Sequence, residues 1–267
     1  MSKLPKISCL TITKNRLVLL KQAINCFMRQ TYPNKELVIV SDGDAFYNAS
    51  VHRFIQTLDS DEITMLEVKP AGESLGKLRN IAWNNASGEF VCQWDDDDQY
   101  HPRRLEIQYS NLVNENAYAS FLVEQLQLFC EDQVLLLANW PSLTNNIRHQ
   151  LIPGTLLVRN EQRFRYDENG NFSRKGEDDE LIDKMVAAGV KISGLSGEAG
   201  LYLYQYHGAN TFSREHHYHL GINRSATAEK LLQDLPQIFE ALNYYNIPTP
   251  LRIFAGQEQV AVYSRTK

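Results

Sequence analysis

Apolar positions in the first hundred residues alternate between short continuous runs and helical stripes, at the spacing of βαβ units. Ile7–Thr13 is a short run rich in β-formers. Leu17, Leu20, Ile24, Phe27 and Met28 then share one helical face, which Tyr32-Pro33 closes. Glu36–Ser41 (ELVIVS) is almost unbroken in its apolar character, as a parallel strand covered on both faces should be. Val51–Leu58 reads as helix, Ile63–Val68 as a third strand, and Leu75–Ala86 as a second strong helix ended by Ser87-Gly88. Phe90–Trp94 is a fourth strand that runs straight into four aspartates.

The second half is less regular. Leu105–Val113 is helical, and Leu122–Phe129 with Val134–Ala138 forms a hairpin pattern around Glu131-Asp132. Pro141–Gln150 is a polar connection, and Leu151–Val158 is a strand broken by Pro153-Gly154. Leu181, Ile182, Met185 and Val186 make a helical stripe that Gly189 terminates, Leu201–Tyr206 is strand-like, and Ala228–Tyr245 is a long amphipathic helix. There is no internal repeat, low-complexity block or linker. The pattern predicts one α/β domain, a mixed and mostly parallel sheet flanked by helices, with a C-terminal helical extension.

Composition narrows the function class. The 267 residues include 27 Lys+Arg against 32 Asp+Glu, a formal charge of −5, which argues against non-specific nucleic-acid binding. Hydrophobic residues make up 43%, enough for a sizeable core. No apolar run approaches the ~20 residues that cross a bilayer, and the opening MSKLPKISCLTITKNR reads as a strand rather than a signal peptide. Cys9, Cys26, Cys92 and Cys130 lie far apart in apolar surroundings, so neither a zinc knuckle nor a disulfide framework fits. Buried thiols in a reducing cytoplasm are the expectation.

Trp94-Asp95-Asp96-Asp97-Asp98 is the strongest chemical signal. Four adjacent carboxylates repel one another unless a cation or strong donors compensate, and the carboxyl ends of parallel strands are where open α/β sheets bind ligands. Carboxylate oxygens are hard ligands that favour Mg²⁺ or Mn²⁺, ions that keep coordination sites for water and phosphate. A solvated acidic loop is the bland alternative, but here an apolar strand leads in and the helix start His101-Pro102-Arg103 follows. An EF-hand is rejected, because Tyr100 stands where its glycine belongs and a β-strand precedes.

Five segments in order, ISCLTITKNR, QTYPNKELVIVSDG, GKLRNIAWNNASGEFV, WDDDDQYHPRRL and GEDDELIDKM, resemble the family 2 glycosyltransferases of GT-A fold over about residues 5–210. The resemblance implies a GT-A domain over 1–213, with a nucleotide-binding half at about 1–100 and an acceptor-binding half at about 101–213. Residues 214–267 would be a helical extension packed on the same domain. It implies that Asp42 accepts the N3–H of uracil, that Thr11 and Thr13 edge the same nucleotide pocket, and that Lys77 and Arg79 face the base or the diphosphate. Asp95 and Asp97 match the Asp-x-Asp motif, Asp95 near ribose and metal and Asp97 a direct ligand of the ion on the diphosphate, with Asp96 between them in the same cofactor-binding stretch. Asp178 matches the catalytic base, and His207, in YHGAN, resembles a late histidine used as a metal or phosphate contact.

The implied function is a metal-dependent inverting transfer of sugar from a nucleotide sugar, a UDP-sugar, with Mn²⁺ or Mg²⁺. The acceptor would be a hydroxyl of a saccharide or lipid-linked saccharide of cell-surface polysaccharide synthesis. A cytoplasmic setting is expected, at the inner face of the membrane if association is peripheral, with no nucleic-acid partner. Alternatives are a nucleotide-sugar-binding protein of the same fold without transfer activity, or a nucleotidyltransferase. ITKNR is not the Gly-rich phosphate loop that the latter needs. Asp178 also fits a helix N-cap, His216 and His219 share a helical face in a solvated or acceptor-facing segment, and Trp83, Trp94 and Trp140 read first as core.

Overall fold

The computed structural model describes residues 4–69 and 72–265. In chain order the elements are β1 (Ile7–Thr13), α1 (Leu17–Met28), β2 (Lys35–Ser41), α2 (Ala45–Gln56), β3 (Ile63–Glu67), α3 (Leu75–Asn84), β4 (Phe90–Gln93) and the short β5 (Gln99–Tyr100). There follow α4 (Arg104–Asn114), β6 (Ala119–Leu122), β7 (Glu124–Phe129), β8 (Val134–Asn139), β9 (Leu157–Arg159), α5 (Glu177–Ala187), β10 (Ile192–Leu195) and β11 (Tyr202–Tyr206). The chain closes with α6 (Arg214–Asn223), α7 (Ala228–Leu242) and the antiparallel pair β12 (Leu251–Ala255) and β13 (Glu258–Tyr263).

Two sheets form. The larger has strand order β10-β6-β9-β4-β1-β2-β3, parallel throughout except where β9 runs against β4 and β6. As ELVIVS implied, Leu37 to Val40 of β2 are covered on both faces. α1, α2 and α4 contribute Leu20, Val51 and Leu105 to one side, and α3 and α5 contribute Leu78 and Leu181 to the other. The smaller sheet, β13-β12-β8-β7-β11-β5, packs under α7 through Leu126, Leu137, Leu203, Leu231 and Leu242.

The C-terminal segment is therefore more than helical. Its β12–β13 hairpin extends the smaller sheet by parallel pairing of β12 with β8. α2 begins at Ala45, earlier than the apolar stripe suggests, because the Asp44 side chain accepts the Tyr47 N–H at 2.8 Å and caps it. Among the described residues no helix is long and apolar enough to cross a membrane.

Two glycines set where the sheets meet the loops. A Cβ on Gly76 would sit 1.9 Å from the Asp167 carbonyl oxygen, so only glycine lets α3 abut the 160–176 loop, whose Ser173 carbonyl accepts the Gly76 N–H at 2.8 Å. Gly176 at φ +82° then starts α5, which brings Glu177 and Asp178 to face the end of β4.

Candidate active site

A cavity of about 690 Å³ opens at the carboxyl ends of β1, β2 and β4, where an open α/β sheet binds ligands. Thr13, Asp42, Arg79, Asp95, Asp96, Asp97 and Asp178 all line it.

The four aspartates resolve their repulsion by alternation. Asp96 and Asp98 turn inward and are 1% and 2% exposed, while Asp95 and Asp97 stay half-buried at the cavity wall. Asp98 is tied into the smaller sheet, accepting from the Tyr202 hydroxyl at 2.5 Å and the Gln205 N–H at 3.0 Å. Beneath the loop lies an aromatic stack. Trp94 donates its indole N–H to the Ala23 carbonyl, Tyr100 donates and accepts at the Asp95 backbone, and the buried Arg104 guanidinium lies 4.5 Å over the Tyr100 ring.

Two arginines supply the compensating charge. Arg16 pairs with Asp96 and, at 2.6 Å, with Asp97. Arg79, 8% exposed, bridges Asp95 at 3.1 Å and Glu177 at 2.7 Å, so it fixes the base-candidate helix against the aspartate loop. Burial works to raise the Asp97 carboxyl, but His207 and Arg16 outweigh it and hold it below its ordinary range. Burial and the neighbouring Asp97 push Asp96 up to about 8, against the opposing pull of Arg16. Burial, then Glu177, pushes Asp178 up to about 7.

Several expectations are corrected. Thr11 does not edge the cavity. It is fully buried and its hydroxyl donates to the Trp94 carbonyl at 2.7 Å, tying β1 to the loop after β4. Lys77 lies outside the cavity lining too, on the outer side of α3, half-exposed and paired with Glu73 one turn back. Asp178 is not the N-cap. Gly176 occupies that position, and Asp178 sits one residue into the helix, accepting only the Asp179 N–H at 2.9 Å among the described residues.

Two other expected residues, Asp42 and Thr13, line the cavity and have local partners, whereas His207 is not among its lining residues and reaches the site through Asp97. Asp42 accepts from the Gly72 N–H and from Lys14, each at 2.8 Å, and Thr13 shares a short hydrogen bond with the Tyr47 hydroxyl. His207 brings Nε2 to 3.3 Å from Asp97 Oδ2. Arg16 and Glu177 carry much of the site's electrostatics; the basic KNR after β1, readable as a phosphate contact or a helix start, and the acid beside Asp178 are their signals in the sequence.

Asp97 and His207 offer a carboxylate and an imidazole side by side, and among the described residues no three His, Cys, Asp or Glu converge in ligating geometry. Such a donor pair fits an ion that takes most of its ligands from water and phosphate, as Mg²⁺ and Mn²⁺ do. That Asp96 is pushed upward despite its Arg16 partner fits a loop that would welcome further positive charge.

Residues 8–128 match the model of the family described as Glycosyl transferase family 2. It is 29% identical over 124 residues (46% of this chain, 40% of the relative) to the GalNAc(5)-diNAcBac-PP-undecaprenol beta-1,3-glucosyltransferase of Campylobacter jejuni. The matched stretch spans between 14% and 43% of the length of the curated relatives. The fold is GT-A. S. aureus TarS 1–349 in complex with UDP superposes at a TM-score of 0.60 with 18% identity, covering 89% of this chain and 79% of that one. The mannosyltransferase PcManGT of Pyrobaculum calidifontis, in complex with GDP-Man and Mn²⁺, also gives 0.60, with 13% identity over 92% of this chain and 67% of that one.

Proposed function

We propose that the protein is an inverting glycosyltransferase that moves a sugar from a UDP-sugar to a hydroxyl of a saccharide or lipid-linked saccharide, with a divalent ion at Asp97 and His207. The observation that carries this reading is the convergence of the Asp95–Asp97 loop and Asp178 on one cavity, fixed across it by the Arg79 bridge from Asp95 to Glu177. When bound, Mn²⁺ or Mg²⁺ would stabilise negative charge developing on the diphosphate leaving group.

The chain's own residues do the rest. Asp42, at the end of β2 and lining the cavity, would accept from a base N–H with its remaining lone pairs. Asp178, held near pKa 7 by burial, exists in both protonation states at neutral pH, as a general base should. A single base acting on the acceptor hydroxyl, with the aspartate loop given over to the diphosphate side, is the arrangement for inversion. A lipid-linked acceptor is supported by the name of the C. jejuni relative, and the UDP and Mn²⁺ reported with the structural neighbours support donor and ion.

A thermal-shift screen of UDP, CDP, GDP and their sugars, with and without Mn²⁺, tests the reading. A ligand at 100 times its Kd stabilises by about 2.7 kcal/mol, a Tm rise of roughly 5–10 °C at this chain length. UDP with Mn²⁺ should give that shift and CDP should not, since cytosine has no N3–H to donate. A larger shift with CDP or GDP removes the uridine assignment.

A further inference from the structure

The cavity continues past the aspartates to a wall made by α6 and the turn at Trp140. His216, His217, Leu220 and Arg224, spaced to share a helical face and its end, all line it. His217 is a neutral structural member there: burial lowers it to about 4, and its Nε2 sits 3.0 Å from the Tyr204 hydroxyl.

Arg224 is different. Its guanidinium lies 4.3 Å over the indole of Trp140, its Nε is buried with no hydrogen-bond partner, and among the described residues no carboxylate stands within ion-pair distance. Trp140 Nε1 is likewise buried with no acceptor. Arg148, on the same cavity, is committed to Asp179 and Asp183. Two buried donors without acceptors, one of them permanently charged, are costly unless something fills the gap. The indole face is already covered by the guanidinium, so Trp140 offers an edge N–H rather than a stacking platform.

We propose that Arg224 and the Trp140 indole N–H bind an anionic group, carboxylate or phosphate, carried by the acceptor saccharide. An anionic group brings two or more acceptor oxygens to these two donors and places a charge-assisted hydrogen bond on the guanidinium. The subsite rests on the glycosyltransferase reading for the word acceptor, and its chemistry follows from these two side chains alone.

The test follows the Trp140 indole N–H by NMR, assigned with Trp140→Phe, during titration with methyl glucuronide, glucose 6-phosphate and the neutral methyl glucoside at millimolar concentration. At least one charged probe should move that resonance and bind about tenfold tighter than the neutral one, the size of one charge-assisted hydrogen bond. Which charged probe wins identifies the group. Arg224→Gln should erase the difference and Arg224→Lys should keep part of it.

Equal binding of charged and neutral sugars, no indole response to either charged probe, or a preference that survives Arg224→Gln overturns the proposal. Should Arg224→Gln unfold, the wild-type protein decides: the preference must shrink with added salt while the indole still responds. UDP titration of the wild-type protein separates the two readings. Charged-probe binding at Trp140 without nucleotide binding keeps the subsite and removes the glycosyltransferase assignment. Nucleotide binding without the charged preference does the reverse.

Discussion

The two ends of the cavity handle charge in opposite ways. At the end formed by the strands, three lining cations pair with carboxylates: Lys14 with Asp42, Arg16 with Asp96 and Asp97, Arg79 with Asp95 and Glu177. At the end formed by α6, Arg224 faces the cavity with only an aromatic ring beneath it, and burial pulls it below its ordinary range with a single weak counter from Asp179. The first end is pre-organised among its own side chains, so a nucleotide arriving there must exchange partners. The second has donors in waiting. A donor site common to a family and an acceptor site particular to one chain would differ in this way.

The largest effect is expected at Asp178. A base is needed only on the way to the transition state, so Asp178→Asn should lower transfer by about 10²–10⁴-fold with little change in UDP-sugar affinity. In the wild type the rate should rise with pH as the carboxyl ionises near 7 and then level off, and the variant should lose that limb. The sign for stability is the reverse. Between the ordinary carboxylate range and about 7 the folded chain holds a proton that the unfolded chain has released, so Asp178 lowers stability as pH rises through that window. Asp178→Asn should therefore melt no lower than wild type at pH 8. A variant that transfers at the wild-type rate, or that is inactive because it unfolds, returns Asp178 to a structural role.

Asp97 comes next in size. Titrating UDP into wild type should show a gain in affinity on adding Mn²⁺ that Asp97→Ala lacks, a difference of at least about tenfold given what metal-site residues contribute. Chelation of the wild type should reproduce the variant. Since Arg16 also holds Asp97 in the described structure, the ion must compete with it, and an unchanged Mn²⁺ response in Asp97→Ala would remove Asp97 from the metal site and leave it to Arg16.

The sequence disclosed the strand end of the cavity better than the α6 end for physical reasons. β1, β2 and β4 are short parallel strands whose apolar runs follow from burial on both faces, and four carboxylates directly after such a run demand compensating positive charge. β5 has two residues and β10 contains Ser193 and Gly194, so neither carries a periodic signal. β12 and β13 are partly exposed, and their polar residues hide the alternation. Arg224 could not be singled out because its meaning lies in missing partners, which only packing reveals. Lys77 misled through its neighbours: Gly76 and Arg79 face the 160–176 loop and the cavity, and one helical step turns Lys77 away.

Thr11 gives the smallest functional effect and the sharpest contrast with Thr13, two residues along the same strand. Both are fully buried, but only Thr13 reaches the cavity, while the Thr11 hydroxyl holds the Trp94 carbonyl just ahead of the aspartates. Thr11→Val keeps the shape and removes that donor, leaving a buried carbonyl unsatisfied at a cost of about 1–3 kcal/mol. A Tm drop of roughly 2–4 °C per kcal/mol should follow at this chain size. UDP affinity should stay within about twofold, because the lost bond aligns the loop without touching the ligand and Tyr100 still anchors the Asp95 backbone. Calorimetry of melting beside UDP titration reads both quantities on one preparation. Weakened UDP binding at an unchanged Tm would put Thr11 back into the nucleotide pocket and remove the distinction drawn between these two threonines.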